Sequence, residues 1–217
     1  MKSSFDVLVA GGGPAGSAAA IEFSRRGLSV VLIEQDNYEG FRVGETLPPM
    51  IRQELVELGV WQRFLECNPL ESYGILTSWE SPTPRYQNFL DNPYGCGWHV
   101  DRVRFDAMLA SSAAQAGAEL MLAARATSWQ QKADGQWRLE VVQGAKTHDL
   151  ICRVLIDATG RKAAVASRLG SQPRAADQLI GVVAFIDCSQ TGQWTLIEAV
   201  EDGWWYSTIR LQLLRST

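Results

Sequence analysis

A glycine-rich turn near the N-terminus carries the clearest chemical signal in the sequence. Residues 7–20 read VLVAGGGPAGSAAA, in which Gly11, Gly13 and Gly16 have the spacing G-x-G-x-x-G. In this pattern the first glycine permits a tight turn, the second lets a pyrophosphate approach the backbone, and the third lets a helix and a strand pack closely. The phosphate oxygens then face free N–H groups at the positive end of the helix. The turn therefore predicts dinucleotide binding.

A carboxylate follows the glycine turn at the separation that a ribose contact needs. Glu34 ends the apolar run LSVVLIE, and 17 residues separate it from Gly16. An acidic residue at this place accepts hydrogen bonds from a ribose diol. The alternative is that the glycines serve only helix–strand packing. We expect Pro14, Ala15 and Gln35 to complete these contacts with the dinucleotide.

The elements that must position these residues are visible in the hydrophobic pattern. A buried strand at 5–10, a helix at 14–26 closed by Gly27, and a strand at 28–34 form a βαβ unit of about 30 residues. Beyond it, the pattern predicts helices near 49–59 and 101–117, short strands and loops over a pocket at 70–100, three strand-like runs between 118 and 160, and antiparallel strands from Leu179 onward. Gly117, Asp134-Gly135 and Gly144 are the turn residues between the strand-like runs.

Composition excludes several classes of protein. The net charge of −4 gives no electrostatic footprint for nucleic acid. No apolar segment approaches the ~18 residues of a membrane-spanning helix, and the N-terminus has no signal-peptide cleavage pattern. The four cysteines form no CxxC pair, so we expect no metal site and a reducing, cytoplasmic location; they are Cys67, Cys96, Cys152 and Cys188.

Three segments resemble FAD-dependent oxidoreductases of the glutathione-reductase superfamily. The opening segment with GGGPAG is typical of that superfamily, and DRVRFDAMLASSAAQAGAEL and LIDATGRKA resemble aromatic-hydroxylase-type monooxygenases. The resemblance implies an α/β fold, with a glutathione-reductase-type FAD-binding Rossmann domain and an incomplete antiparallel β-sheet substrate domain. It implies FAD as the cofactor, with Arg102 reaching the FAD, Asp157 to Gly160 near the dinucleotide, and Ala126 as a further contact.

Two shorter motifs resemble one branch, the tryptophan-halogenase-like flavoproteins, which include halogenases, hydroxylases and LodB-like flavoproteins. They are GETLPP at 44–49 and DGWWYS at 202–207. The resemblance implies that Gly44, Glu45 and Thr46 lie beside the isoalloxazine. Two roles for Glu45 stay open: it orients water or substrate, or it caps the following helix.

Two more residues near these motifs are candidates. Arg42 lies close enough to the GETLPP loop to meet a phosphate or a substrate anion. His99, in GCGWHVDRVRF, either lines the flavin site or is a hydrogen-bonded structural histidine, and the second is favoured. His148 is expected at the surface.

The resemblance implies an FAD-dependent oxidoreductase or monooxygenase that acts on an aromatic or amino-acid-derived substrate. A LodB-like role, the modification of a residue of a partner protein, is the more specific hypothesis, with a separate flavin reductase as a possible electron source. Halogenation is disfavoured, because the lysine that the resemblance places some thirty residues after the GETLPP loop has no counterpart between 44 and 100.

The rival hypothesis is a truncated, catalytically silent FAD- or nucleotide-binding fragment. The superfamily's later Gly-Asp segment has no match in 179–217, and the tail YSTIRLQLLRST departs from the family pattern. We expect an FAD-binding domain at 1–178, with about 60–100 as a pocket-covering excursion, and the start of a substrate-domain sheet at 179–217.

Overall fold

The chain separates into two compact units in a computed structural model that describes residues 2–79, 81, 83–172, 174, 178–184 and 192–208. One unit comprises Met1–Gly40 and Asp106–Leu179, and the second comprises Phe41–Phe105 and Ile180–Thr217. We call them the dinucleotide unit and the second unit. The domain boundary near residue 178 stays a prediction.

Thirteen strands and five helices are assigned within the described residues. In chain order they are β1 (Ser4–Ala10), α1 (Pro14–Arg25), β2 (Val30–Ile33), β3 (Thr46–Leu47), α2 (Ile51–Glu57), α3 (Trp61–Glu66), β4 (Leu70–Ser72), β5 (Gly74–Ser78), β6 (Arg85–Asn88), β7 (Gly97–His99), α4 (Arg102–Gln115), β8 (Glu119–Met121), β9 (Ala124–Gln131), β10 (Trp137–Gln143), β11 (Lys146–Asp157), α5 (Ala164–Arg168), β12 (Trp194–Val200) and β13 (Gly203–Ser207).

A six-stranded sheet forms the centre of the dinucleotide unit. Its strand order is β8-β2-β1-β11-β10-β9; β8, β2, β1 and β11 are parallel, and β10 is antiparallel to both of its neighbours, β11 and β9. The apolar runs of β1 and β2 are buried almost throughout, as expected for strands covered on both faces. The predicted βαβ unit is therefore confirmed, although β2 begins at Val30 rather than at residue 28.

Two sequence-based expectations about strands are wrong in part. The run AELMLAARATSWQQ forms two strands, because Ala123 has a φ of 48° and ends the extended conformation between β8 and β9. β8 then pairs with β2, while β9 pairs with β10. Of the antiparallel strands expected from Leu179 onward, β12 and β13 form and pair antiparallel, but no strand forms in residues 178–184, where Ile180 and Val182 are each 88% exposed. Residues 185–191 and 209–217, also part of that expectation, lie outside the described residues.

The second unit contains two small sheets. Strands β13, β12, β5 and β6 form one sheet in that order, and β3, β7 and β4 form the other. β12 pairs antiparallel with β13 and parallel with β5. An aromatic cluster packs beside β7: the rings of Phe64, Trp98 and Phe105 lie 5.5–5.8 Å apart, edge to face. This packing fixes the strand that carries His99.

The described part of the chain has neither a membrane-spanning helix nor a cluster of metal-binding side chains. No helix there is long and apolar enough to cross a membrane. No group of three or more histidine, cysteine, aspartate or glutamate side chains is arranged to hold a metal ion there.

Candidate functional site

The glycine turn lies between the end of β1 and the start of α1, and its glycines have different surroundings. Gly11 has a φ of 110°, and a Cβ there would collide with the carbonyl group of Ala158. A Cβ at Gly16 would collide with the carbonyl oxygen of Gly11. A Cβ at Gly13, in contrast, would meet no atom within 4 Å. Gly11 and Gly16 are therefore needed for packing, whereas Gly13 borders open space.

Helix α1 presents its N-terminus at this open space. Gly13 is the N-cap residue and supplies no capping side chain, and Pro14 occupies the first helical position. The first amides of a helix have no acceptor within the helix, and the helix dipole makes this end attractive to anions. Ala15, in the first turn, is exposed. An open, uncapped helix N-terminus beside a glycine without steric neighbours fits a pyrophosphate.

Glu34 directly follows β2 and is held against the glycine turn. Its side chain is 5% exposed, and Oε2 accepts a hydrogen bond from the N–H of Gly12 at 2.6 Å. Oε1 accepts from the N–H of Asp36 at 3.2 Å. The contact of Glu34 with a ribose stays a prediction, as does that of Gln35, which is exposed next to it.

Tyr38 joins this arrangement, although the sequence analysis missed it. Its hydroxyl group donates to the carbonyl oxygen of Gly12 at 2.7 Å, and the residue is 6% exposed with a φ of 59°. A left-handed tyrosine has no signal in the local sequence, because tyrosine rarely adopts that conformation. Tyr38 and Glu34 together hold both backbone polar groups of Gly12.

The turn after β11 lies beside the glycine turn. β1 and β11 are parallel neighbours with Ala10 opposite Asp157, and the N–H of Ala158 donates to the carbonyl oxygen of Ala10 at 2.8 Å. The structure therefore brings the segment Asp157–Gly160 to the same sheet edge as Gly11. This placement agrees with the rule that ligands of parallel sheets bind at the carboxyl ends of the strands.

Asp157 itself organises the start of α5. Its Oδ2 accepts from the N–H groups of Val165 and Ala166 at 3.0 and 2.8 Å, and its Oδ1 accepts from the Thr159 hydroxyl at 2.6 Å. Partial burial raises the pKa of Asp157, but the hydrogen bonds from Thr159, Ala166 and Val165 outweigh it and hold the pKa below its ordinary value. Asp157 is thus an ionised cap that shapes this turn. Gly160 is exposed with a φ of 68°.

Ala126 lies on β9, two residues after Ala124. The N–H of Ala124 donates to the carbonyl oxygen of Glu34 at 2.9 Å, so the beginning of β9 adjoins the end of β2. Ala126 pairs with Val141 and packs on the core of the dinucleotide unit. Its contact with a cofactor stays a prediction.

In the second unit, the GETLPP loop is held by Arg102. The guanidinium Nη1 of Arg102 donates to the carbonyl oxygen of Val43 at 2.6 Å. Gly44 has a φ of 102°, and a Cβ there would lie 2.7 Å from the same Nη1. The positive φ therefore favours glycine at this position, whereas the contact with Nη1 could be relieved by a shift of the flexible Arg102 side chain. Arg42 lies two residues before Gly44 and is partly buried.

Glu45 is buried within this loop, and the structure excludes one of the two roles considered for it. Its Oε2 accepts from the N–H of Gly44 at 3.0 Å, and its carbonyl oxygen accepts from the N–H of Val100 at 2.7 Å. Helix α2 starts at Ile51 without a capping side chain. The hypothesis that Glu45 caps the following helix is therefore wrong. Its other role, orienting water or substrate, stays a prediction.

Thr46 and His99 face each other across β3 and β7. They are paired in register, and Nδ1 of His99 lies 3.3 Å from the Thr46 hydroxyl and 2.9 Å from that of Thr208. Burial lowers the pKa of His99, so the ring is neutral near pH 7. The expectation of a hydrogen-bonded structural histidine agrees with these contacts. The partners Thr195, Tyr206 and Thr208 were missed, because they lie about a hundred or more positions away in the sequence.

The dinucleotide unit has the architecture and the anion-binding turn of an FAD-binding Rossmann-type flavoprotein. Residues 6–193 match the family of FAD dependent oxidoreductases, and the chain belongs to this family. FAD is the cofactor of the family, and the open N-terminus of α1 at Gly13 fits its pyrophosphate.

Several known proteins are similar to the chain. It is 31% identical over 210 residues to the FAD-dependent oxidoreductase LodB of Marinomonas mediterranea, covering 94% of this chain and 56% of LodB. It is 26% identical over 186 residues to a 1H-pyrrole-2-carbonyl-[peptidyl-carrier protein] chlorinase of Pseudomonas fluorescens, covering 76% and 41%. A flavoprotein/dehydrogenase of Cytophaga hutchinsonii has the same fold, with a TM-score of 0.80 at 22% identity, over 93% of this chain and 52% of that one. The chain thus spans about half the length of these relatives.

Proposed function

We propose that this chain is the FAD-binding part of a LodB-like flavoprotein that oxidises or hydroxylates an aromatic or amino-acid-derived group, carried by a residue of a partner protein. The observation that carries the proposal is the 31% identity with LodB, which extends over 94% of the chain. The GETLPP and DGWWYS motifs, which first suggested this branch, support the same assignment.

The residues of the chain would contribute by binding the cofactor and by holding the loop beside it in a fixed conformation. FAD, when bound, supplies the redox chemistry. The N–H groups at the start of α1 bind the pyrophosphate, and Glu34 binds the ribose of the adenosine. Arg102 fixes the backbone at Val43 and Gly44, so that the loop presents an ordered surface to a bound molecule.

The decisive experiment is FAD retention followed by substrate trials. The purified chain is incubated with FAD, gel-filtered and examined by absorption spectroscopy. We expect bands near 375 and 450 nm (about the positions of oxidised flavin), at a stoichiometry near one FAD per chain. A colourless chain would favour the rival hypothesis, a catalytically silent fragment.

Halogenation is the second candidate activity, because a carrier-protein chlorinase is among the relatives. Its weakness is the missing lysine: the chain has only Lys2, Lys132, Lys146 and Lys162. The flavin-loaded protein is given a reductase, oxygen and bromide, with free tryptophan and a carrier-bound pyrrole as substrates. Bromination of either one would overturn the preference for oxidation, whereas oxygen incorporation without bromide would support it.

A further inference from the structure

A hydrogen-bonded cluster of four hydroxyl groups and one imidazole lies within the second unit. We call it the threonine–histidine cluster; it consists of Thr46, His99, Thr195, Tyr206 and Thr208. The Thr46 hydroxyl is its hub, 3.3 Å from that of Thr195, 3.2 Å from that of Thr208 and 2.6 Å from that of Tyr206. The Thr208 hydroxyl in turn lies 2.9 Å from Nδ1 of His99.

The inner end of the cluster is buried and incomplete. His99 is 1% exposed, and within the described residues its Nε2 has no hydrogen-bond partner. A buried polar atom of this kind is normally satisfied by a water molecule or a ligand atom. A neutral imidazole has one donor and one acceptor nitrogen, so the hydrogen bond at Nδ1 determines what Nε2 offers.

A second buried polar atom without a partner among the described residues belongs to Ser72, on the strand that pairs with β7. Ser72 is fully buried, and its Oγ has no partner in the described part of the chain. On β4 and β7, Leu70 is opposite His99 and Ser72 is opposite Gly97. Because residues two apart on a strand share a face, Ser72 and His99 lie on the same face of the sheet. Two unsatisfied polar groups on one buried face indicate that a polar atom binds there.

The outer end of the cluster reaches solvent. Tyr206 is 47% exposed, and its hydroxyl group donates to Thr46 Oγ1. The contacts Tyr206–Thr46, Thr46–Thr208 and Thr208–His99 therefore form an unbroken path from an exposed phenol to a buried ring nitrogen. Thr195 branches from Thr46 and is not on this path.

We propose that the threonine–histidine cluster is a proton relay, in which Nε2 of His99 exchanges a proton with a polar atom bound at His99 and Ser72. Because the Tyr206 hydroxyl donates to Thr46 Oγ1, this arrangement carries a proton inward: water gives a proton to the Tyr206 oxygen, and the hydroxyl protons of Tyr206, Thr46 and Thr208 each shift one step inward. Nδ1 of His99 takes up the last of them, and Nε2 gives its own proton to the bound polar atom. Reversal of every hydroxyl dipole carries a proton outward, so no oxidant or other co-reactant is needed.

The relay makes His99 a positioning residue for proton transfer, and this role goes beyond the proposed function. It can be tested without flavin, so a failure to bind FAD leaves the test intact. The sequence contains only two histidines, His99 and His148. A spectrum of the ¹⁵N-histidine-labelled full chain therefore shows two imidazole rings, and a His148→Gln variant assigns them.

The measurement is the rate at which the His99 ring proton exchanges with water, read from ¹⁵N NMR. Thr208→Val removes the shorter link to Nδ1 of His99, at 2.9 Å, and leaves only the 3.3 Å contact with Thr46; Tyr206→Phe removes the exposed end. We expect each to slow the exchange at least about tenfold, equivalent to about 1.4 kcal/mol of barrier. Thr195→Val is the matched control for the first variant, because Thr195 touches Thr46 off the path. Tyr86→Phe, at a tyrosine that is 70% exposed on β6, is the control for the second.

Slowed exchange caused by a lost hydrogen-bond link is distinguishable from slowed exchange caused by loss of folding. Thermal unfolding is followed for every variant, and Tyr206→Phe removes one hydroxyl group and its hydrogen bond to Thr46 on a half-exposed side chain, so the variant should remain folded. Slowed exchange in the two path variants, with wild-type exchange in both controls, supports the relay. Unchanged exchange in folded Tyr206→Phe and Thr208→Val would overturn it, as would equal slowing in Thr195→Val.

Discussion

Replacement of Gly13 by valine should abolish tight FAD binding without unfolding the protein. The backbone at Gly13 has φ −70° and ψ −177°, an extended conformation that valine readily adopts. A Cβ at this position meets no atom within 4 Å. We therefore expect the free energy of unfolding to change by less than about 1 kcal/mol, as at other sites without buried contacts.

The effect on FAD binding also follows from the open space beside Gly13. The valine methyl groups would occupy the volume through which a pyrophosphate approaches the N–H groups of α1. Loss of two charge-assisted hydrogen bonds, each worth about 1.5–3 kcal/mol, amounts to about 3–6 kcal/mol. This corresponds to an increase of about 10²- to 10⁴-fold in the Kd for FAD.

The assay is a titration of FAD by fluorescence, together with thermal unfolding of each variant. Gly40→Val is the matched control, because Gly40 also borders open space and lies in the same unit. Gly16→Val is the contrast, since its side chain would collide with the Gly11 carbonyl and should destabilise the fold. A folded Gly13→Val chain that binds FAD with the wild-type Kd would refute the assignment of this turn.

Three further predictions concern the dinucleotide unit. Tyr38→Phe removes one of two donors to the buried carbonyl oxygen of Gly12, and the Ser17 hydroxyl remains as the other, so urea unfolding should show a loss of about 0.5–1.5 kcal/mol; no loss would contradict the contact. The pKa of Asp157 is lowered from 3.8 in the folded chain, so its contribution to stability is present above pH 3.8 and is lost as the pH falls through the folded pKa. The stability difference between wild type and Asp157→Asn should therefore shrink on acidification below pH 3.8, and a constant difference would disprove the ionised cap. Burial raises the pKa of Cys152 to about 11, and the residue is 1% exposed, so iodoacetamide at pH 8 should label it only after unfolding.

Much of the dinucleotide unit could be predicted from the sequence, because its signals are local. The turn with Gly11 and Gly16 and the fully apolar strands are read from contiguous residues, and each has a direct steric or burial cause. The break at Ala123 could not be read in this way, since alanine carries no preference for the positive φ that separates β8 from β9.

The candidate site likewise has a part that local sequence predicts and a part that only the tertiary structure reveals. The spacing of Gly11, Gly13 and Gly16, followed by Glu34, determined by itself that a dinucleotide-binding turn would form, because these residues act within one βαβ unit. Only the tertiary structure decided that Asp157 shares this sheet edge, through the parallel pairing of β1 and β11. Only the tertiary structure, too, revealed the contact of His99 with Thr208, which lies 109 positions later in the chain. A side chain's distant partners depend on strand pairing and packing, which no short segment of sequence specifies.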